Sequence, residues 1–141
     1  MESRRYKYAG FWARAGASIL DTFVVGVPVN IIFYLIYGED FWLRQGDVDY
    51  LGVDVFGYLL APVYFVYMWT QAKGTIGQQL IGIQVVDETS GTAIGVAQAI
   101  GRVIARYLSA IVCGLGLLWV AFDGKKQSWH DKMAGTIVVH R

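Results

Sequence analysis

Charge is scarce in this 141-residue chain: Lys, Arg, Asp and Glu make up 16% of it, against about 25% in ordinary soluble proteins. Hydrophobic residues reach 55% and mean hydropathy is +0.43, which is the composition of an integral membrane protein. The single cysteine, Cys113, excludes an internal disulfide and a cysteine-based zinc site, and in its apolar run it reads as a small core residue. There are two histidines, His130 and His140, and no nucleophile motif accompanies either, so no catalytic residue, metal site, cofactor or enzymatic activity is expected. Gly74-Thr75-Ile76-Gly77 lacks the Lys-Ser/Thr ending of a phosphate loop. The net charge of +1 says nothing about nucleic acid, because the total hides a strongly segregated distribution, and no nucleic-acid partner is expected of a chain of this composition. At this length the chain is one domain, residues 1–141.

What is present is apolar length. The stretch 9–37, AGFWARAGASILDTFVVGVPVNIIFYLIY, is long enough to cross a bilayer, which takes about 20 mostly apolar residues. A basic lead-in precedes it, but the run is too long for a signal peptide and carries a mid-span acid, so it reads as an uncleaved first transmembrane helix. Pro28 predicts a kink in it. Residues 38–54 are acidic, with Glu39, Asp40, Asp47, Asp49 and Asp54 against Arg44, and are expected to face away from the cytoplasm. A second run, Leu51 to Thr70, contains Pro62 and many aromatics; its buried tyrosine hydroxyls need partners.

From Gly74 the chain becomes polar enough to leave the membrane. Ile81 to Asp87 and Thr136 to His140 read as two short strands, most stable when paired on one side of the membrane. Between them, Ile94 to Phe122 is either a single third span from about Tyr107 or a helix to about Val112, broken at Gly114-Leu115-Gly116 and followed by a short return. The cationic tail of Lys125, Lys126, Lys132 and Arg141 resembles the basic N-terminus, which favours the second form. The expected fold is therefore an α-helical membrane protein with two full transmembrane helices, a third broken or re-entrant hairpin and a small cytoplasmic two-stranded β element. Both termini are placed in the cytoplasm.

Asp21 is the sharpest local signal, since an acid inside a span costs about 2.5–3.5 kcal/mol on insertion scales. It is a candidate proton or cation site, or else a structural acid neutralised by another helix. Arg14, seven residues earlier on the same helix face and about 10 Å away, is most simply a snorkelling interfacial residue. Arg102 and Arg106, four apart on one helix face, are either partners for Asp21 and Asp131 or ligands for lipid phosphates. Asp131, in Trp129-His130-Asp131-Lys132, reads mainly as a helix-capping or turn acid.

AGFWARAGASILD with Arg14 and Asp21, GTIGQQLIGIQVVD, and WVAFDGKKQSWHDKMAGTIVV with Asp131 together resemble the RDD family of small bacterial membrane proteins, named for one arginine and two aspartates. Two positions depart from the family pattern: Gln78 stands where a lysine or arginine is usual, and Ala13 replaces a common arginine before Arg14. The resemblance implies residence in the bacterial inner membrane and transport of a small ion or solute, cation/proton exchange being one form, with Asp21, Arg14, Asp131, Arg102 and Arg106 as the polar site. A homo-oligomer is expected, because so few helices hardly enclose a pathway, with Ala13 and Ala17 allowing close approach. The rival function is a non-transporting scaffold or regulatory module, in which Arg14, Asp21 and Asp131 form a structural ion-pair network.

Overall fold

The computed structural model describes residues 6–43, 51–112 and 115–141. Arg44, Asp47, Asp49, the side chain of Asp54, and Cys113 lie outside the described residues. Helix α1 spans Phe11–Tyr37 without interruption at Pro28 and is followed by a single turn, α2 (Asp40–Leu43). Helix α3, Leu51–Ala72, likewise runs through Pro62. A six-residue helix α4 (Ile76–Ile81) leads into β1 (Ile83–Asp87), so the first strand begins two residues later than the sequence suggests: Ile81 still belongs to the helix, and Gly82, in the left-handed region, makes the corner. Helix α5 (Val96–Ile111), short helix α6 (Leu115–Leu118), a 3-10 turn (Trp119–Ala121), α7 (Trp129–Ala134) and β2 (Thr136–His140) complete the order.

The third apolar region is thus broken. Helix α5 stops at Ile111, and α6 packs back against it so closely that a Cβ on Gly116 would lie 2.7 Å from the Ser109 side chain.

The strands pair antiparallel, Val85 opposite Val138 and Val86 opposite Ile137. The incoming N-terminal segment lies along β2: the Ala9 amide donates to the Val138 carbonyl at 2.9 Å, and the His140 amide to the Lys7 carbonyl at 2.8 Å. One face of the sheet, with Ile83, Val85 and Val138, packs on Ala17, Trp69, Ala99 and Val103 from the helices. The other face, with Val86, Ile137 and Val139, is covered by Tyr6 and Tyr8. Neighbours such as Val85 and Val86, or Ile137 and Val138, are therefore both buried, which is why apolar residues stand side by side in both strands.

The long helices differ sharply from this cap. Along α1 only Ala17, Asp21 and Phe33 are buried, while Trp12, Phe23, Ile31, Leu35 and Ile36 are exposed. A helix of that length and hydropathy with its apolar surface facing outward has the character of a bilayer-facing segment. On α5 the exposed apolar residues Ile100, Ile104, Tyr107, Leu108 and Ile111 follow helical spacing, and Arg102, Val103 and Ala105 are turned inward. Ala17 is buried against α4, and Ala13 is partly buried against the same core.

Candidate functional site

The two aspartates singled out by the sequence sit in separate nests. Asp21, 5% exposed, is held by neutral donors: the Thr75 hydroxyl at 2.5 Å on one oxygen, and the Gly77 amide at 2.8 Å and the Tyr64 hydroxyl at 3.1 Å on the other. Tyr64 in turn accepts from the Ile76 amide at 3.0 Å. Thus Asp21 collects the start of α4, whose backbone amides have no partner within their own helix. The approach requires glycine at position 77, because a Cβ there would lie 2.2 Å from the Ala17 carbonyl oxygen and 2.9 Å from the Asp21 carboxyl carbon. Among the described residues no cation is within ion-pair distance of Asp21; Arg106 acts on it through space and donates instead to the Ser18 hydroxyl at 3.1 Å.

Asp131 is fully buried between two guanidiniums. Arg102 pairs with one oxygen and Arg14 with the other. Arg14 also donates to the Ala9 carbonyl at 3.1 Å and to the carbonyl of Lys126, a residue held at φ 52°. Far from snorkelling into the headgroups, Arg14 ties α1 to the cap. Arg102 is 1% exposed, donates to the Thr136 hydroxyl at 2.5 Å and lies 4.8 Å over the Trp69 ring. The Trp69 indole N–H donates to Gln78 at 3.1 Å. Asp131 is the third residue of α7, not its N-cap: Ser128 caps the helix, and the Asp131 carboxylate accepts from the Ser128 amide at 2.9 Å and its hydroxyl at 2.8 Å. Burial by itself would raise the Asp131 pKa, but Arg102 and Arg14 outweigh it and hold the group well below the usual carboxylate range.

His130 is buried with its imidazole 3.0 Å from the Ser128 hydroxyl. That hydroxyl gives its proton to Asp131, so the imidazole N–H is the donor to it. Burial, together with the positive charge of Arg102, pushes the His130 pKa down to about 3, keeping the ring neutral.

Arg14, Arg102 and Arg106 all line a cavity of about 310 Å³ between α1, α5 and the cap, with Ser18, Ser128, His130 and the apolar Phe11, Ile19 and Val120 completing its wall. Of the sequence-predicted residues the structure therefore brings Arg14, Arg102 and Asp131 into contact, sets Arg106 beside them, and places Asp21 in its own nest. Tyr64, Thr75, Gly77, Ser18 and Ser128 are additions. Two of them carried a readable signal, the capping-box pattern of Thr75-x-x-Gln78 and Ser128-x-x-Asp131: the first forms in full, and in the second the Asp131 carboxylate takes the Ser128 amide while the Ser128 hydroxyl donates to that same carboxylate. Gln78, at the family's usual cationic position, spends its side chain on that cap and on Trp69.

Among the described residues no three His, Cys, Asp or Glu side chains converge as metal ligands. No solved structure matches the chain significantly. Bacillus subtilis YxaI is 29% identical over 96% of this chain and 99% of its own length, and B. subtilis YckC 31% over 96% and 86%. B. subtilis YteJ, described as a membrane protein, is 30% identical over 96% of this chain and 82% of its own length. The sequence profile of the RDD family matches residues 8–135, from the strand-like lead-in through the Arg14–Asp131–Arg102 contact to the end of α7, and the chain belongs to that family of bacterial membrane proteins.

Proposed function

We propose that this chain is a multi-pass membrane scaffold or regulatory module in which the family's arginine and aspartates are a structural lock, not an ion pathway. The observation that carries the reading is the occupancy of the acids. Both Asp131 oxygens are paired with guanidiniums, and both Asp21 oxygens accept from groups fixed by the fold. A cation entering at either carboxylate would have to displace these donors; at Asp131 this breaks a buried ion pair, at about 3–5 kcal/mol, and at Asp21 it breaks hydrogen bonds from neutral donors.

In the proposed topology α1 and α3 cross the bilayer. At 27 and 22 residues they extend about 40 and 33 Å, against a hydrocarbon core of about 30 Å. Helix α5, with 16 residues, reaches only about 24 Å and carries an apolar stripe, which supports a helix lying at the interface. Pairing of the N-terminal segment with β2 supports both termini on one side, and the basic residues near them support the cytoplasm as that side. Self-association in this proposal uses the exposed apolar faces of the spans, such as Phe23, Ile31 and Leu35 on α1, since Ala17 is buried within the chain.

Transport is the second reading, favoured by the cavity beside Ser18 and Arg106. Asp21→Asn separates the two. An amide cannot accept from every donor around it, so the lock reading expects a loss of about 1–3 kcal/mol of stability and no ion-driven proton flux in vesicles carrying either the wild type or the variant. Robust wild-type flux that Asp21→Asn abolishes while unfolding in detergent is unchanged would establish transport instead.

A further inference from the structure

The lock leaves one cation without a counter-charge. Around the cavity, Arg14, Arg102 and Arg106 meet two carboxylates, Asp131 and the more distant Asp21, so one positive charge is in excess. The excess falls on Arg106: among the described residues it has no ion pair, its one hydrogen bond goes to Ser18, and its guanidinium lies 5.0 Å over the Phe65 ring. Arg102, which also lines the cavity, is incompletely satisfied: its Nε is the one buried side-chain nitrogen or oxygen among the described residues with no hydrogen-bond partner. Buried donors of this kind are normally satisfied, and an unbalanced guanidinium at membrane depth is costly.

We propose that this cavity is a binding site for a singly charged phosphate oxyanion, supplied by a phospholipid headgroup or by free phosphate. Arg106 is its principal ligand, with Ser18 beside it and Arg102 in the same wall. The depth agrees with a headgroup, since Ser18 is about 6 Å along α1 from Arg14 at the cytoplasmic end. So does the wall, because Phe11 and Ile19 add apolar surface toward the membrane-facing side of α1. A volume of about 310 Å³ is at the lower end of the roughly 300–1,000 Å³ usual for ligand sites, enough for a headgroup and small for a large metabolite. Guanidinium is the group best matched to phosphate oxygens. The inference goes beyond the lock, and Arg106 takes no part in the Asp131 contact, so it can be tested with the lock intact.

The test uses the full chain in a neutral detergent. Thermal unfolding is followed while inorganic phosphate is titrated against chloride at matched ionic strength, and in parallel while phosphatidylglycerol or phosphatidylcholine is added. Stabilisation by inorganic phosphate identifies the free ion as a sufficient ligand; stabilisation by phosphatidylglycerol without any from phosphate identifies the headgroup. In either arm Arg106→Gln is expected to weaken apparent affinity at least tenfold, and Arg106→Lys to retain most of it. Should Arg106→Gln fail to fold, Ser18→Ala replaces it, with a loss of roughly threefold expected. No stabilisation in either arm, or stabilisation that Arg106→Gln and Ser18→Ala leave unchanged, overturns the proposal.

Discussion

His130 turns burial into a pH response. Its folded pKa is about 3, against about 6.5 in an unfolded chain. Below pH 6.5 the unfolded chain takes up a proton that the folded chain refuses, so stability falls as pH falls, by about 1.4 kcal/mol per pH unit until the folded-state pKa is approached. Asp131 acts in the same direction but later: its pKa is depressed, so its contribution is present above the ordinary carboxylate pKa and is lost only below about pH 4. The slope between pH 6 and 4.5 therefore belongs to His130. Unfolding free energy measured in neutral detergent over that window should flatten in His130→Gln, and an unchanged slope in that variant would place the response elsewhere. The sequence shows His130 beside Asp131 with no nucleophile motif around them. It does not show that Ser128 stands between the two side chains, because that contact is made only once Ser128 has capped α7.

At the scale of elements, α4 decides how the cap meets the spans. Its six residues, under two turns, are too few to display an amphipathic repeat, and Gly77, Gln78 and Gln79 interrupt its apolar residues. What specifies them is the Thr75–Gln78 capping box and the need to bring Gly77 against α1. Gly77→Ala should therefore push α4 away from Ala17, loosen the Asp21 nest and cost about 1–3 kcal/mol or more in chemical unfolding. Gly101→Ala is the matched control. It lies within α5 with nothing within 4 Å of its would-be Cβ, so alanine there should be neutral or stabilising by up to about 1 kcal/mol. Equal effects at the two positions would mean that close approach at Gly77 is not what orders α4. The long elements are legible for the opposite reason. Helix α1 declares itself by apolar length, and β1 and β2 by β-branched runs beside turn residues, since these are properties of a segment and do not depend on what it meets.

The whole molecule is a small two-sided cap fastened beneath long helices whose apolar faces point outward. The pairing of Lys7–Ala9 with β2 brings the N-terminal segment beside the last strand. Arg14, Asp21 and Arg102 stand out in the sequence as charges in apolar surroundings, and the Arg102–Asp131 pair is one of the partnerships the charges allow; the partners of Arg14 and Asp21 were not legible. Arg14 and Asp21 share one helix face, yet they diverge to different elements, because α4 supplies Asp21 with neutral donors before any arginine reaches it. Arg14 and Asp131 are separated by 117 positions, and no local spacing announces such a contact. That contact is the centre of the account, and a double-mutant cycle in unfolding free energy tests it most directly. Asp131→Asn is expected to cost about 3–5 kcal/mol by leaving Arg14 and Arg102 uncompensated. Arg14→Met should also destabilise, and the double variant should be no worse than Asp131→Asn alone, giving a coupling of at least about 1 kcal/mol. Additive losses, or two single variants as stable as the wild type, would contradict the lock.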